Sequence, residues 1–206
     1  MREEIKEYKR SRIIEEASRL FYEQGFEATS VEMLASELGV TKPFIYSYFP
    51  NKRSILEAVY EQSASRLVGH IQQALKSDGT PEERLSQFIR VFVNENIKHQ
   101  IAVGIYMQEE KNLSPGLLER VQDIERSFNK LLAQLIQEGV DANVFHVPDA
   151  KLASLCISGM VRWVHRWYHP NGRLNSQEIA AKIATLGMNM VGYRQQPPAV
   201  DDSVSG

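Results

Sequence analysis

The sequence predicts an all-α protein, and three observations carry that prediction. Apolar residues recur at three and four positions along most of the chain, period-two alternation is scarce, and glycines and prolines fall mostly between the periodic runs. With 206 residues the chain suits one or two domains and can bury a substantial core without disulfides or metals. Its 43% hydrophobic and 24% charged residues are ordinary for a soluble globular protein. No apolar run approaches the roughly 18 residues of a membrane span, so no membrane partner is expected. Residues Met1 to Glu7 carry charge where a signal peptide needs an apolar core, and Cys156 is the single cysteine, so a reducing, cytoplasmic setting is expected. The 24 Lys and Arg against 26 Asp and Glu leave a net charge of −2, so binding to a polyanion would rest on where the charges sit.

The periodicity predicts a first helix over about Lys6 to Gln24, with Ile13, Ile14, Ala17, Leu20 and Phe21 on one face and Gly25 just past its end. Its early turns carry Lys9, Arg10 and Arg12. Thr29-Ser30-Val31-Glu32 has the form of a capping box opened by Thr29, and the helix it starts buries Val31, Leu34, Ala35 and Leu38. That helix stops at Gly39, and a third short helix runs from Thr41 to near Phe49, with Pro43 tolerable in its first turn. Asn51 is the cap expected for a long fourth helix to about Leu75, with Ile55, Leu56, Val59, Tyr60, Leu67, Val68 and Ile71 as its stripe. After the breaker Ser77 to Pro81, helices are predicted at about 81–98, 101–111, 115–138, 148–168 and 176–193. Thr80 and Asn175 are the expected caps of the first and last of these. The tail over 195–206 is too poor in apolar residues to pack and is expected to be disordered.

Two short helices joined by Gly39-Val40-Thr41 fit a helix-turn-helix, with Leu34, Leu38, Val40, Ile45 and Phe49 facing inward. Lys42, Pro43, Phe44, Ser47 and Tyr48 then face solvent or a partner. In a major groove Phe44 suits a thymine methyl and Lys42 a guanine edge or a phosphate, while the Tyr46 and Tyr48 hydroxyls suit phosphate oxygens. Lys52 adds a charge and nearby backbone amides for the same strand. From Met1 to Arg53 nine Lys and Arg balance nine Asp and Glu, so total charge does not single out this segment.

At these residues the chain resembles the TetR family of bacterial transcriptional regulators. The resemblance covers about 45 residues and rests on Ala17, Leu20-Phe21, Gly25-Phe26, Thr29-Ser30, Leu34-Ala35, Gly39-Val40-Thr41-Lys42, Tyr46, Tyr48-Phe49, Asn51-Lys52 and Leu56. It implies a homodimer whose two heads enter successive major grooves of a palindromic double-stranded DNA operator, and a small-molecule effector that changes their separation. It also implies that Thr29, Thr41, Lys42, Tyr46, Tyr48 and Lys52 touch DNA. Pro43-Phe44 replaces the small residue and Thr of many members, a departure that bears on which bases are read. The architecture expected is thus an N-terminal three-helix helix-turn-helix DNA-binding domain over 1–50 and a helical ligand-binding and dimerisation domain over 51–194, about nine helices in all.

The C-terminal part supplies enough amphipathic helix for a bundle with an internal cavity. Phe88, Phe92, Tyr106, Met107, Phe128, Leu132 and Trp163 are the bulky residues available to line it, and also the residues any helical core would use. Trp163 and Trp167 stand one turn apart beside Arg162 and Arg166. His165 and His169 share that spacing, but no Cys, Asp or Glu at ligand spacing joins them, so no metal is expected. This helix and the later Ile179, Ile183, Leu186 and Met190 stripe resemble the two helices through which family members pair, with Gly159 and Gly187 permitting close approach. The pattern Gly159-Met160, Trp163, Trp167-Tyr168, Pro170, Gly172 and Glu178-Ile179-Ala180 is also similar to the branch that senses acyl-CoA thioesters. That similarity implies an acyl-CoA effector, with Arg162, Arg166 or Arg173 for the CoA phosphates, and no resident cofactor is expected. No histidine or cysteine spacing points to catalysis, so an enzyme is not expected. Two alternatives share the fold: a ligand-independent DNA-binding dimer answering to a protein partner, and a ligand-binding bundle whose head no longer reads DNA.

Overall fold

The computed structural model describes residues 2–75 and 77–194, and among them every regular element is helical. In chain order these are α1 (Arg2–Gln24), α2 (Val31–Glu37), α3 (Lys42–Tyr46), α4 (Lys52–Leu75), α5 (Pro81–Lys98) and α6 (Gln100–Gln108). A 3₁₀ turn over Glu110–Asn112 follows, then α7 (Pro115–Asp141), α8 (Ala150–Arg162), α9 (Val164–Trp167) and α10 (Ser176–Met190). The tail expected over 195–206 and the side chains of Leu67, Val68 and Ile71 lie outside the described residues.

Local chemistry accounts for most of the boundaries. Gly25 (φ +85°) and Gly39 (φ +64°) close α1 and α2 in the left-handed region, where a side chain would be strained. Thr80 with Glu83, and Asn175 with Glu178, form complete capping boxes. Asn51 Oδ1 accepts the Ser54 amide at 2.9 Å, as its position ahead of α4 predicts. Three expectations need correction. The cap of α2 is Ser30, whose oxygen accepts the Met33 amide at 3.1 Å. Thr29 cannot take that role because its hydroxyl is turned inward, onto the carbonyls of Gly25 and Leu20. The helix predicted over 101–111 ends at Gln108 and finishes as the 3₁₀ turn, and that predicted over 148–168 breaks at Trp163.

Two apolar cores organise the bundle. The first joins Ile13, Ala17, Leu20, Phe21, Leu34, Ile45, Phe49 and Ile55 to Tyr60, Ile105, Leu117 and Val121, so it runs through α1 to α4 into α6 and the front of α7. The second is built by α5, the back of α7, and α8 to α10 around Phe88, Phe92, Leu132, Ile157 and Ile183. Close approach in this second core depends on small residues. A Cβ on Gly139 would stand 2.1 Å from the buried Phe145 ring, and one on Gly187 would stand 2.5 Å from Ile89 Cδ1.

Phe145 is held on both sides, its amide donating to the Gly139 carbonyl and its ring meeting Tyr193 edge-on, so it cannot swing away. Gly139→Ala is therefore expected to cost about 2 kcal/mol as overpacking. Urea unfolding should show a lower midpoint at an unchanged m-value.

Candidate nucleic-acid interface

The reading surface rests on a buried floor. Leu34 and Ala35 of α2 and Ile45 of α3 are buried with Phe49, Leu38 and Val40 pack against them, and the Val40 amide donates to the Ala35 carbonyl at 2.9 Å across the turn. This floor holds α3 across α2. Thr41 caps α3 with its side chain on the Phe44 amide, and Thr41, Lys42, Pro43, Tyr46 and Ser47 are exposed. Phe44 and Tyr48 are half-buried, ring against ring at 5.2 Å, with one side against the head core. The structure thus brings six of the expected contact residues, Lys42, Pro43, Phe44, Tyr46, Ser47 and Tyr48, together on and just after α3, with Thr41 at its edge.

Lys42 is not a free cation here. Its ammonium is paired with the Glu32 carboxylate of α2, and this contact lowers the Glu32 pKa and raises that of Lys42. Both groups are open to solvent, so a phosphate or guanine edge can displace Glu32 at little cost.

Two expected contacts take different roles. Thr29 is 2% exposed with its hydroxyl committed to backbone carbonyls, so it has no surface to offer DNA. Lys52 turns inward: its Nζ donates to the carbonyls of Phe26 at 2.6 Å, Thr29 at 2.8 Å and Glu27 at 3.3 Å, and lies 4.3 Å from the Phe26 ring centroid. Its charge satisfies the turn between α1 and α2 and ties the start of α4 to it. Its presence beside Asn51 was legible, but the fold that aims it inward was not.

Sequence reasoning also missed the contacts joining this head to the body. Glu109, at the end of α6, is buried, with Oε1 accepting the Phe26 amide at 3.1 Å and Oε2 accepting Asn112 Nδ2 at 2.7 Å. Gly104 of α6 lies flat against the Tyr22 ring of α1. Tyr60 of α4 donates its hydroxyl to the Ile105 and Tyr106 carbonyls, and burial raises its pKa. α1, α4 and α6 therefore meet through polar contacts as well as packing.

The residues expected to line an effector cavity separate into groups. Phe88, Phe92 and Phe128 are buried ring on ring, with centroids 5.3 to 5.8 Å apart. Arg162 lies over Phe128 and pairs with Glu125, which also accepts the Tyr106 hydroxyl at 2.8 Å. Burial, then Glu125, raises the Tyr106 pKa. Met107, Trp163 and Arg166 do not join this set: all three are exposed, because Gly104 and Ile105 take the buried face of α6, and Val161, Val164 and His165 that of α8 and α9. Nδ1 of His165 sits 2.6 Å from the Arg162 carbonyl, and His169 is exposed. Among the described residues no group of three His, Cys, Asp or Glu side chains is placed to hold a metal. A cleft of about 470 Å³ between α5 and α10 is lined by Glu82, Glu83 and Arg90 together with Met188, Asn189 and Tyr193, a mixed polar and apolar wall.

A helix-turn-helix with an exposed second helix, mounted on a helical body, defines a DNA-binding protein of the regulator type. Residues 13–59 match the model of the bacterial regulatory proteins of the tetR family, and residues 78–191 match that of the tetracyclin repressor-like C-terminal domain. The chain is 30% identical over 192 residues to the HTH-type transcriptional repressor KstR2 of Mycolicibacterium smegmatis, covering 91% of this chain and 92% of that one. A tetR-family regulatory protein from Rhodococcus RHA1 superposes with a TM-score of 0.84 at 26% identity, over 90% of this chain and 97% of that one. AibR, solved in complex with isovaleryl coenzyme A and operator DNA, shares the fold with a TM-score of 0.79 at 22% identity, over 86% of this chain and 96% of that one. The chain belongs to the TetR family: it is a DNA-binding transcriptional regulator and not an enzyme.

Two substitutions test the geometry of the head. Lys52→Met, which removes hydrogen bonds to two part-buried carbonyls and one exposed one, is expected to lower stability by about 1 kcal/mol and weaken DNA binding while leaving the slope of log K against log salt unchanged. Unfolding curves and salt titrations read the two effects separately. Glu32→Gln, which removes the competitor for Lys42, is expected to tighten DNA binding about threefold to tenfold in a low-salt fluorescence anisotropy titration.

Proposed function

We propose that this regulator is a homodimeric repressor that binds a palindromic operator and leaves it on binding a small hydrophobic effector, an acyl-CoA thioester. The observation that carries the dimer is an apolar face left uncovered in the single chain. Leu152 and Leu155 of α8, Trp163 at its C-terminal end, and Leu186 and Met190 of α10 are all exposed, Trp163 by 58%. The two helices are neighbours, for a Cβ on Gly187 of α10 would stand 3.7 Å from Met160 Cε of α8. Leu152, Leu155, Gly159 and Trp163 follow one face of α8, opposite its buried Ala153, Ile157 and Val161. A continuous apolar stripe of this kind calls for a partner, and a second copy covers both helices in a four-helix arrangement.

Two heads carried by such a dimer suit a two-fold-symmetric site, with Lys42, Pro43, Phe44, Tyr46, Ser47 and Tyr48 in each major groove. The effector reading is supported by relatives: AibR was solved with isovaleryl coenzyme A together with operator DNA, and KstR2 of Mycobacterium tuberculosis is named a ketosteroid transcriptional regulator. In this chain the packed Phe88, Phe92 and Phe128, with Tyr106 near them, would have to part to admit an acyl chain, and Arg162, once released from Glu125, and the exposed Arg166 would supply cations for phosphates. A second reading, a ligand-independent dimer under a protein partner, is favoured by one observation: the three phenylalanines fill their own space.

Selection of bound DNA from a random pool, followed by release against long-chain, aromatic and branched acyl-CoAs, separates the readings. A palindrome released by one acyl-CoA class is the expected result, and a palindrome that none releases sinks the effector reading. Leu155→Glu with Trp163→Glu is expected to give a monomer by analytical ultracentrifugation and to lower operator affinity by at least about a hundredfold, since each buried charge costs several kcal/mol.

A further inference from the structure

The first two turns of α1 bury nothing: Glu3 to Lys9 are all exposed, and Ile13 is the first core residue. A helix carried this far beyond its core gains no packing energy, so its surface chemistry is what it offers. That chemistry is sorted by face. Lys6, Lys9 and Arg10 continue, at spacings of three and four, the side of the helix that carries Ile13 and Ala17 into the head. Glu4, Glu7, Ser11 and Glu15, also three and four apart, occupy the other side. The head's zero net charge thus hides a partial sorting of its ions, with Glu3, seven residues before Arg10, the acid on the cationic side.

The cationic side is anchored next to the reading helix. Lys9 Nζ lies 5.7 Å from the ring centroid of Phe44 in α3, and Arg10 Cζ lies 5.1 Å from that of Phe49. Lys6 and Lys9 form no ion pair among the described residues, and Arg10 meets only Glu7, at 3.9 Å. Lys9 is therefore next to the reading helix, Lys6 stands one turn before it on the same side, both exposed and without a carboxylate partner among the described residues, and Arg10 is half-buried with one partner, Glu7. Lys42, by contrast, begins paired with Glu32.

We infer that Lys6, Lys9 and Arg10 form a second, sequence-independent contact strip that binds the sugar–phosphate backbone flanking the groove entered by α3. Phosphate contacts of this type fix the register of a reading helix and contribute through release of counterions, so their signature is the salt dependence of binding. Phe44 has two duties in this arrangement: one edge is presented to the groove and the other orients Lys9. The inference rests on the DNA-binding reading of α3.

The test compares the Lys6→Gln/Lys9→Gln double variant with wild type and with a Lys98→Gln/Lys130→Gln variant, which removes the same charge from exposed positions on the body. The probe is the operator duplex obtained by selection, with a scrambled duplex of equal length beside it. The head variant should bind both duplexes at least about tenfold more weakly and lose about two from the salt slope per head, with its preference between them unchanged. An unchanged slope, or equal losses in the head and body variants, overturns the strip. Wild-type protein that binds neither duplex overturns instead the DNA-binding reading on which it rests.

Discussion

A turn whose carbonyls converge at the edge of a core is held by a cation or a set of donors, because a backbone oxygen partly withdrawn from water needs a replacement partner. Between α1 and α2 the carbonyls of Phe26, Glu27 and Thr29 point the same way, and the Lys52 ammonium satisfies all three while resting on the Phe26 ring. Because Lys52 opens α4, the tie fixes where the long helix leaves the head. It also orients the segment that ends in Ser30, the cap of α2, and through α2 the placement of α3. A cation expected to face outward is therefore a condition for the shape of the reading surface.

The same turn receives a second constraint from the body. The Phe26 amide donates to Glu109 at the end of α6, so one residue of the turn is held through its carbonyl by α4 and through its amide by α6. Tyr60 bonds α4 to α6 through two carbonyls, and Glu57 of α4 accepts the amide of Ser114 just ahead of α7. Glu125 of α7 in turn joins Tyr106 of α6 to Arg162 of α8. Contiguous polar contacts thus run from the helix bearing the uncovered apolar face to the turn beneath α2.

Much of the fold was legible because its signals are local. The capping boxes at Thr80 and Asn175, the left-handed glycines 25 and 39, and the buried stripe of Ile13, Ala17 and Leu20 each follow from residues within one or two turns. The misplaced boundaries share a different cause. Thr29 and Ser30 are both good caps, and Thr29 loses the role to burial against the carbonyls of Leu20 and Gly25, which the linear pattern does not reveal. The break at Trp163 carries no Gly or Pro. It arises where α8 gives way to the short α9, with the Gln100 side chain donating to the carbonyls of His165 and Tyr168.

By itself the sequence determined the class of protein, the helix-turn-helix and the side chains presented after Thr41, since these depend on helical periodicity, caps and a turn of few residues. Only the tertiary structure decided which cations are available. It sends Lys52 into the head, gives Lys42 a carboxylate partner and stands Lys9 over Phe44. It likewise separates Trp163 and Met107, which face solvent, from the packed Phe88, Phe92 and Phe128. The reason is physical: the spacing of a helix says which residues share a face, but what that face meets depends on contacts between residues far apart in the chain.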